Sequence, residues 1–560
     1  MLLTQRLSRV DVLSRNQVIR SYDLTYESYT AAEGFTRLAR VERKGVDGSV
    51  YPVEFDFSYT QGLQQEPVVF DMGDLGVNIG SGRATLIDIN GDALPDLVDS
   101  TNDDAHRFFI NRPTTDGNSR FEEDPVLSQV GTGSAFRLQS ATVQVFDANG
   151  DGFSDILNAG TGELLLNLGG GDWAMSAQAE GVEALAEAFS ADFDAEDGEL
   201  QTLKFIDYNN DKRIDVMRST QDTTTIYRNE GEDGFVIEQI ESIGAGFTED
   251  GVQFTDMNGD GLLDVTWVRA GSLRYRLNYG WGTWGEWVNI TGLPVTDAEV
   301  ELAELEDING DGLSDVVVVT GTSVKYALNT NSTSFAATVT LDNLDVPERD
   351  SSVTVLYADM NGNGSSDIVW VTSQGSVTVL ELFPVRPNML SQITNGIGQI
   401  ERISYRSSVQ EMARDSEAGR PWPYKLPHPM QVVTSVVRTD ALTELIEEDT
   451  YRYHNGYYDG VEKQFRGYEE VELEASFDET VEARVVEMVY EVGAEDPYRK
   501  GLLLSQTTFS DGRELSQSHT TYSDCPVAQV PDGTEFPVRF ITQQQPVTSS
   551  RRASLRIGGS

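Results

Sequence analysis

One acidic nonapeptide occurs six times, and any fold for this chain has to house six equivalent copies. The pattern is D-x-N-x-[DN]-x-x-x-D. Position 1 is Asp88, Asp147, Asp207, Asp256, Asp307 and Asp359, and position 3 is Asn90, Asn149, Asn209, Asn258, Asn309 and Asn361. Position 5 is Asp92, Asp151, Asp211, Asp260, Asp311 and Asn363, and position 9 is Asp96, Asp155, Asp215, Asp264, Asp315 and Asp367. Side-chain oxygens at these four positions, with a backbone carbonyl at position 7, make an all-oxygen cage suited to a hard cation such as Ca²⁺. The bland alternative is an acidic turn that holds no metal. Six copies with the same ligand offsets favour the cation. Glycine at position 4 in five copies (Gly91, Gly150, Gly259, Gly310 and Gly362) permits the positive φ of a tight turn.

These loops are not EF-hands. An EF-hand places a bidentate Glu at position 12 between two helices. Position 12 here is Asp99, Asn158, Arg218, Trp267, Val318 and Trp370, with no consistent ligand. The flanks are short β-branched and aromatic runs, such as Val265-Thr-Trp-Val268 and Val316-Val-Val-Val319, so the unit is strand, loop, strand.

The first aspartates lie 59, 60, 49, 51 and 52 residues apart. About 50 residues hold four short strands with turns, which is one blade of a β-propeller. An Asn recurs in phase at Asn111, Asn167, Asn229, Asn278 and Asn329, and the sixth copy has Glu381 there. The expected architecture is all-β: a six-bladed propeller over residues 61–384, strands before it over 1–60, and a second β-rich region over 385–545. A frayed tail is expected over 546–560. Pro384 and Pro387 mark the end of the repeats. Because the loops sit at strand ends, the faces of the ring are expected to be free for contact.

Net charge is −50, and six divalent ions would offset only part of it. Such a surface repels nucleic acid and anionic membranes. The single cysteine, Cys525, excludes an internal disulfide framework and a Cys-rich zinc site. No apolar run reaches the roughly 18 residues of a membrane span. The first residues lack the apolar core of a Sec signal peptide, so the expectation is a secreted protein exported by a non-Sec route, or a piece of a longer chain, with a cytoplasmic stage before release.

The loops and their strands resemble FG-GAP/VCBS repeats, the integrin-α-like propeller family. Two later stretches, Pro421-Trp-Pro-Tyr-Lys-Leu-Pro-His-Pro-Met-Gln-Val-Val433 and Tyr451-Arg-Tyr-His-Asn-Gly-Tyr-Tyr-Asp-Gly-Val-Glu-Lys-Gln-Phe-Arg-Gly-Tyr468, resemble the middle/N-terminal domain of insecticidal Tc toxin B components. Alternating strands over 6–13, 18–26, 35–41 and 53–59 resemble the end of the SpvB-like domain of that family. The resemblance implies a non-enzymatic structural and gating part of a Tc/Rhs-type toxin complex. Its propeller closes a β-sheet cocoon of Rhs type and docks on an A-type channel component. An Rhs-containing C component or downstream Rhs chain completes the shell, and the chain inserts in no membrane. The competing reading is a calcium-dependent integrin-like adhesin or lectin, which the repeats alone permit.

No catalytic constellation stands out, so no enzyme is expected. The histidines His106, His428, His454 and His519 are scattered, and His428 and His454 read as structural. Paired carboxylates can serve glycoside hydrolysis, but six identical active sites in one chain are implausible. The aromatic group Tyr275, Tyr279, Trp281, Trp284 and Trp287 reads as blade packing, with a carbohydrate or protein contact as the alternative.

Overall fold

The computed structural model describes residues 6–550 apart from 29–35, 62–65, 77–83, 101–104, 114–118, 123, 130–135, 137, 139–142, 150, 159–160, 162, 170, 176–202, 210, 212, 221, 231–234, 248, 461, 478–482, 527–538 and 544–546. Gly150 and residues 551–560 therefore lie outside it.

Six four-stranded antiparallel sheets form a propeller. Blades 1 to 5 take their strands from residues 84–129, 143–175, 203–240, 252–291 and 303–341. Blade 6 is built from 353–381, and its fourth strand comes from the front of the propeller, Val68–Asp74. That strand runs antiparallel to Ser376–Glu381, with Val69 opposite Leu380 and Phe70 opposite Val379. Residues 68–74 thus supply the closing strand of the sixth blade. The ring also closes where the first strands of blades 6 and 1 touch.

Alternation along the second strand of each blade builds the core. In Asp315–Thr320, Val316 and Val318 pack toward blade 4 with Met257, Val268 and Leu273. Val317 and Val319 point the other way, to Ile368 and Trp370 of blade 6. All four valines are fully buried. Successive strand residues face opposite sides, so a run apolar at every position is what a strand between two neighbours requires. Each such valine contributes roughly 1.5–3 kcal/mol relative to exposure. The aromatic group of blade 4 is partly buried and partly exposed. Tyr275 is core, and Trp287 lies against the Arg274 guanidinium at 4.5 Å, while Trp281 and Tyr279 are exposed.

The strands before and after the propeller belong to one sheet. Its thirteen antiparallel strands run Arg9–Ser14, Gln17–Ser28, Thr36–Lys44 and Val50–Tyr59, then Leu390–Thr394, Gln399–Ser407, Gln431–Asp440, Ile446–Asp459, Gln464–Phe477, Arg484–Glu491, Leu502–Ser510, Arg513–His519 and Val547–Ser550. The join is direct: Phe57 sits opposite Ile393 and Asp56 opposite Thr394. The chain leaves the sheet at Tyr59, circles the propeller and re-enters beside the strand it left. The Thr60 amide donates to the Met389 carbonyl at 2.8 Å, and the Asn388 amide to the Thr60 carbonyl at 3.1 Å, clasping exit to entry. The tail expected to fray from residue 546 instead contributes Val547–Ser550, paired with Arg513–His519. A ten-residue helix, Ser408–Glu417, lies outside the strand pattern, with Ser407 as N-cap accepting from the Val409 amide.

Candidate metal loops and their seat on the sheet

Each nonapeptide joins the first and second strands of its blade, and position 9 is the first residue of the second strand. The loop folds around position 1. Asp256 accepts the amides of Gly259 and Gly261 at 2.7 Å, and that of Asp260 at 3.3 Å. In loops 2 to 6 position 3 accepts from the amide of position 5, as Asn258 does from Asp260 at 3.0 Å. Position 5 accepts from the amide of position 7, as Asp260 does from Leu262 at 3.0 Å. Position 4 glycines have φ from 71° to 75° at Gly91, Gly259, Gly310 and Gly362, the conformation expected of them.

Position 9 is the framework residue. Asp264 is fully buried and accepts the Met257 amide on Oδ2 at 3.0 Å and the Asn278 amide on Oδ1 at 2.7 Å. Asp96, Asp155 and Asp215 repeat this with Ile89 and Asn111, Ala148 and Asn167, and Tyr208 and Asn229. Each oxygen keeps a lone pair for a further partner. The recurring Asn is an inter-blade staple. Its side-chain amide donates to the position 2 carbonyl of the preceding blade's loop: Asn167 to Ile89, Asn229 to Ala148, Asn278 to Tyr208 and Asn329 to Met257. Asn111 closes the cycle by donating to Met360 of blade 6 at 2.8 Å.

Loop 6 departs from this scheme for a chemical reason. Glu381 occupies the staple position, and a carboxylate cannot donate as the amide does. Its Oε1 instead accepts from Asn361 Nδ2 at 2.8 Å and from Asn363 Nδ2. The carboxylate missing at position 5 is therefore returned from the neighbouring strand.

The loops carry negative charge at high density in a dry setting. Burial, opposed by two amide hydrogen bonds, pushes Asp155 and Asp215 up to about 7 and Asp264 up to about 8. Burial and the neighbouring Asp92 push Asp88 up to about 7. The residues fit a cation. In loop 1 the Asn90 Oδ1 atom is buried without a hydrogen-bond partner, and so is Asp367 Oδ1 in loop 6. In every copy position 1 accepts the amide of position 5, and among the described residues no three carboxylates of one loop bring oxygens within 4.8 Å of one another. The loops differ in what else meets them. Arg112 pairs with Asp92 of loop 1 at 2.9 Å, and Lys463 from the sheet pairs with Asp147 of loop 2.

The segment that follows the propeller meets several of its loops. The Leu426 amide donates to the Gly91 carbonyl at 3.1 Å, and a Cβ on Gly91 would stand 3.1 Å from the Lys425 Cβ. A Cβ on Gly152 would stand 3.3 Å from Pro427, and one on Gly362 would stand 2.7 Å from Val409. Gln431 donates to the Asn363 carbonyl, and Arg386 to the Gly310 carbonyl, each at 2.9 Å. The glycine that turns each of these loops also lets the sheet segment approach. Loops 1, 2, 5 and 6 are thus seated on residues 386–431 and Lys463, while Asp260 of loop 4 stays exposed.

Beneath the helix lies a group that sequence reading left unassigned. Asp415 Oδ2 accepts from Trp422 Nε1 at 2.7 Å and from His454 Nδ1 at 2.6 Å, and its Oδ1 meets Arg414 at 2.8 Å. Glu411, fully buried, accepts the Tyr453 amide at 3.0 Å and pairs with Arg414. The signal was present in Ser407-Ser-Val-Gln410, a capping-box spacing with Glu411 in the first helical turn. His428, as read from sequence, is structural, packed edge-on against Tyr458 at 5.5 Å.

Comparison with known proteins agrees with this geometry. Residues 329–494 match the family described as insecticide toxin TcdB middle/N-terminal region, and residues 207–267 match the FG-GAP-like repeat. No curated protein matches the sequence. Among solved structures, the Photorhabdus luminescens Tc holotoxin pore aligns with a TM-score of 0.80 at 18% identity, covering 96% of this chain and 28% of that one. TcdB2-TccC3 aligns at 0.69 and 18% identity, covering 96% and 29%, and TcdB2-TccC3-Cdc42 at 0.71 and 19%, covering 95% and 28%. This chain thus spans under a third of the length of those it aligns with. Over nearly all its residues it has the fold found in the Tc holotoxin and TcdB2-TccC3 structures, with a TcdB middle/N-terminal region and an FG-GAP-like repeat where the sequence resembles a Tc toxin B component.

Proposed function

We propose that this chain is a non-enzymatic structural and gating part of a Tc/Rhs-type toxin complex. The thirteen-stranded sheet is a portion of the shell, and the propeller closes the shell and docks on an A-type channel component. An Rhs-containing chain supplies the rest of the wall. The observation that carries this reading is the insertion of the propeller between two neighbouring strands of one sheet, with four of its loops seated on the segment that follows. A propeller held in this way moves with the shell and works as its lid. The six loops hold Ca²⁺ through positions 1, 3, 5 and 9, with dissociation constants of roughly 0.1 to 1 mM. The ion adds positive charge among the clustered carboxylates, and so stiffens the strand pairs that face a partner. Release to the extracellular medium, where calcium is plentiful, fits this use.

The test is capture of a Tc A-type channel by the full assembly containing this chain, with calcium and with EGTA. Retention in calcium and loss in EGTA is the expected result. No affinity for any cognate channel, together with binding to a glycan array through the exposed Trp281 and Tyr279, replaces this reading with the adhesin or lectin one. Turnover of a substrate that is abolished by one substitution outside the loops overturns the non-enzymatic part.

A further inference from the structure

We propose that His454, Glu470 and Glu472 form a binding site for a divalent transition-metal ion, Zn²⁺ in the first instance, on the sheet beneath the helix Ser408–Glu417. The three come together through strand geometry. His454 and Glu470 are directly opposite on the antiparallel strands Ile446–Asp459 and Gln464–Phe477. Glu472 lies two residues further along the second strand, hence on the same face. One ligand atom from each lies within 4.8 Å of the others.

The histidine is prepared on both sides. It is 2% exposed. Asp415 lies at 2.6 Å from Nδ1. That contact occupies Nδ1 and leaves Nε2 as the ring nitrogen that can face a metal. Nε2 is buried, has no hydrogen-bond partner and stands 3.6 Å from Glu472 Oε1. A carboxylate behind an imidazole whose other nitrogen faces open acceptors is the arrangement that orients a metal-bound histidine.

The surroundings add negative charge. Glu487 sits opposite Glu472 on the next strand. Arg452 meets the other oxygen of Glu472, Oε2, at 3.3 Å, leaving Oε1 toward the imidazole. Arg414 and Arg420 approach on the Nδ1 side. One imidazole with two carboxylates is a donor set for Zn²⁺, Mn²⁺ or Fe²⁺ rather than Ca²⁺, which separates this site from the six loops. A bound ion would tie two long strands of the sheet to the helix through Asp415.

The experiment uses the full chain in millimolar calcium, so that the acidic loops are filled, and titrates Zn²⁺ calorimetrically. Bound zinc is then counted by elemental analysis after dialysis. The wild type is expected to retain one more Zn²⁺ per chain than Glu470→Gln/Glu472→Gln, whose zinc affinity falls at least tenfold. His454→Gln is expected to behave like the double variant. The glutamine double variant keeps side-chain volume at half-buried positions and decides the matter alone if His454→Gln does not fold. Equal zinc stoichiometry and affinity in wild type and double variant overturns the site.

Discussion

Two buried aspartates, Asp264 in the propeller and Asp415 in the sheet domain, face the same problem and meet opposite answers. Both are all but inaccessible to solvent. Asp264 is pushed up to about 8 by burial, with backbone amides as its partners. Asp415 is held at about 2 despite burial, because His454, Trp422 and Arg414 converge on it. Amide dipoles stabilise a buried carboxylate partly, whereas positive side chains and an indole N–H stabilise it fully. The sheet domain therefore neutralises its buried acid from within the chain. The propeller leaves the charge for a cation or a proton to neutralise, and the same omission is repeated blade after blade.

Removing each acid separates the two cases. Asp415→Ala strands the imidazole, the indole N–H and a partly buried guanidinium together. It should cost about 4 kcal/mol, as breaking a buried charged pair does. The denaturant midpoint followed by fluorescence of Trp422 and its neighbours measures this, and a loss below that of Asp264→Ala would break the comparison.

Asp264→Ala leaves two amides unpaired but also removes an uncompensated charge, so it should cost about 2 kcal/mol. The pH dependence gives the sign. A folded-state value raised above the ordinary 3.8 means stability that is complete below that value and is lost as pH rises through about 8. Asp415, depressed, contributes stability above the ordinary carboxylate value and loses it as pH falls toward 2. Melts in EGTA between pH 4 and pH 8 should therefore show the propeller weakening as pH rises, with a shallower slope in Asp264→Ala. Calcium should flatten the slope by standing in for the proton.

The cation itself can be weighed. At tenfold excess over its dissociation constant, one bound Ca²⁺ adds about 1.4 kcal/mol. Asp260→Ala, at an exposed position 5, should remove that increment. Asn363→Ala, in loop 6, should remove less, since its position 5 side chain carries no charge. Calorimetric stoichiometry and the calcium-induced rise in melting temperature check both, and an unchanged melting temperature on adding calcium sinks the metal reading.

The smallest effect belongs to the staple. Asn329→Ala loses one inter-blade hydrogen bond to Met257 and should cost about 1 kcal/mol with or without calcium. A loss that appears only in calcium would mean that the staple acts through the cation site.

Much of this was legible in the residues. The nonapeptide, its spacing and the apolar runs beside it dictate six strand–loop–strand units. Such units cannot bury both faces of Val316–Val319 without a neighbour on each side, so a ring follows from local pattern alone. The Asn in phase with the loops was visible, and its failure at Glu381 was visible too. Long-range pairing was not. That residues 68–74 complete blade 6, that strands 50–59 and 390–394 are neighbours, and that residues 386–431 cover four loops all depend on contacts between segments tens to hundreds of positions apart. Strand patterns state which face is apolar but not which partner covers it. The same limit hid the Asp415–His454 pair: a helix and a strand end 39 residues apart become one charged cluster only when the sheet folds them face to face.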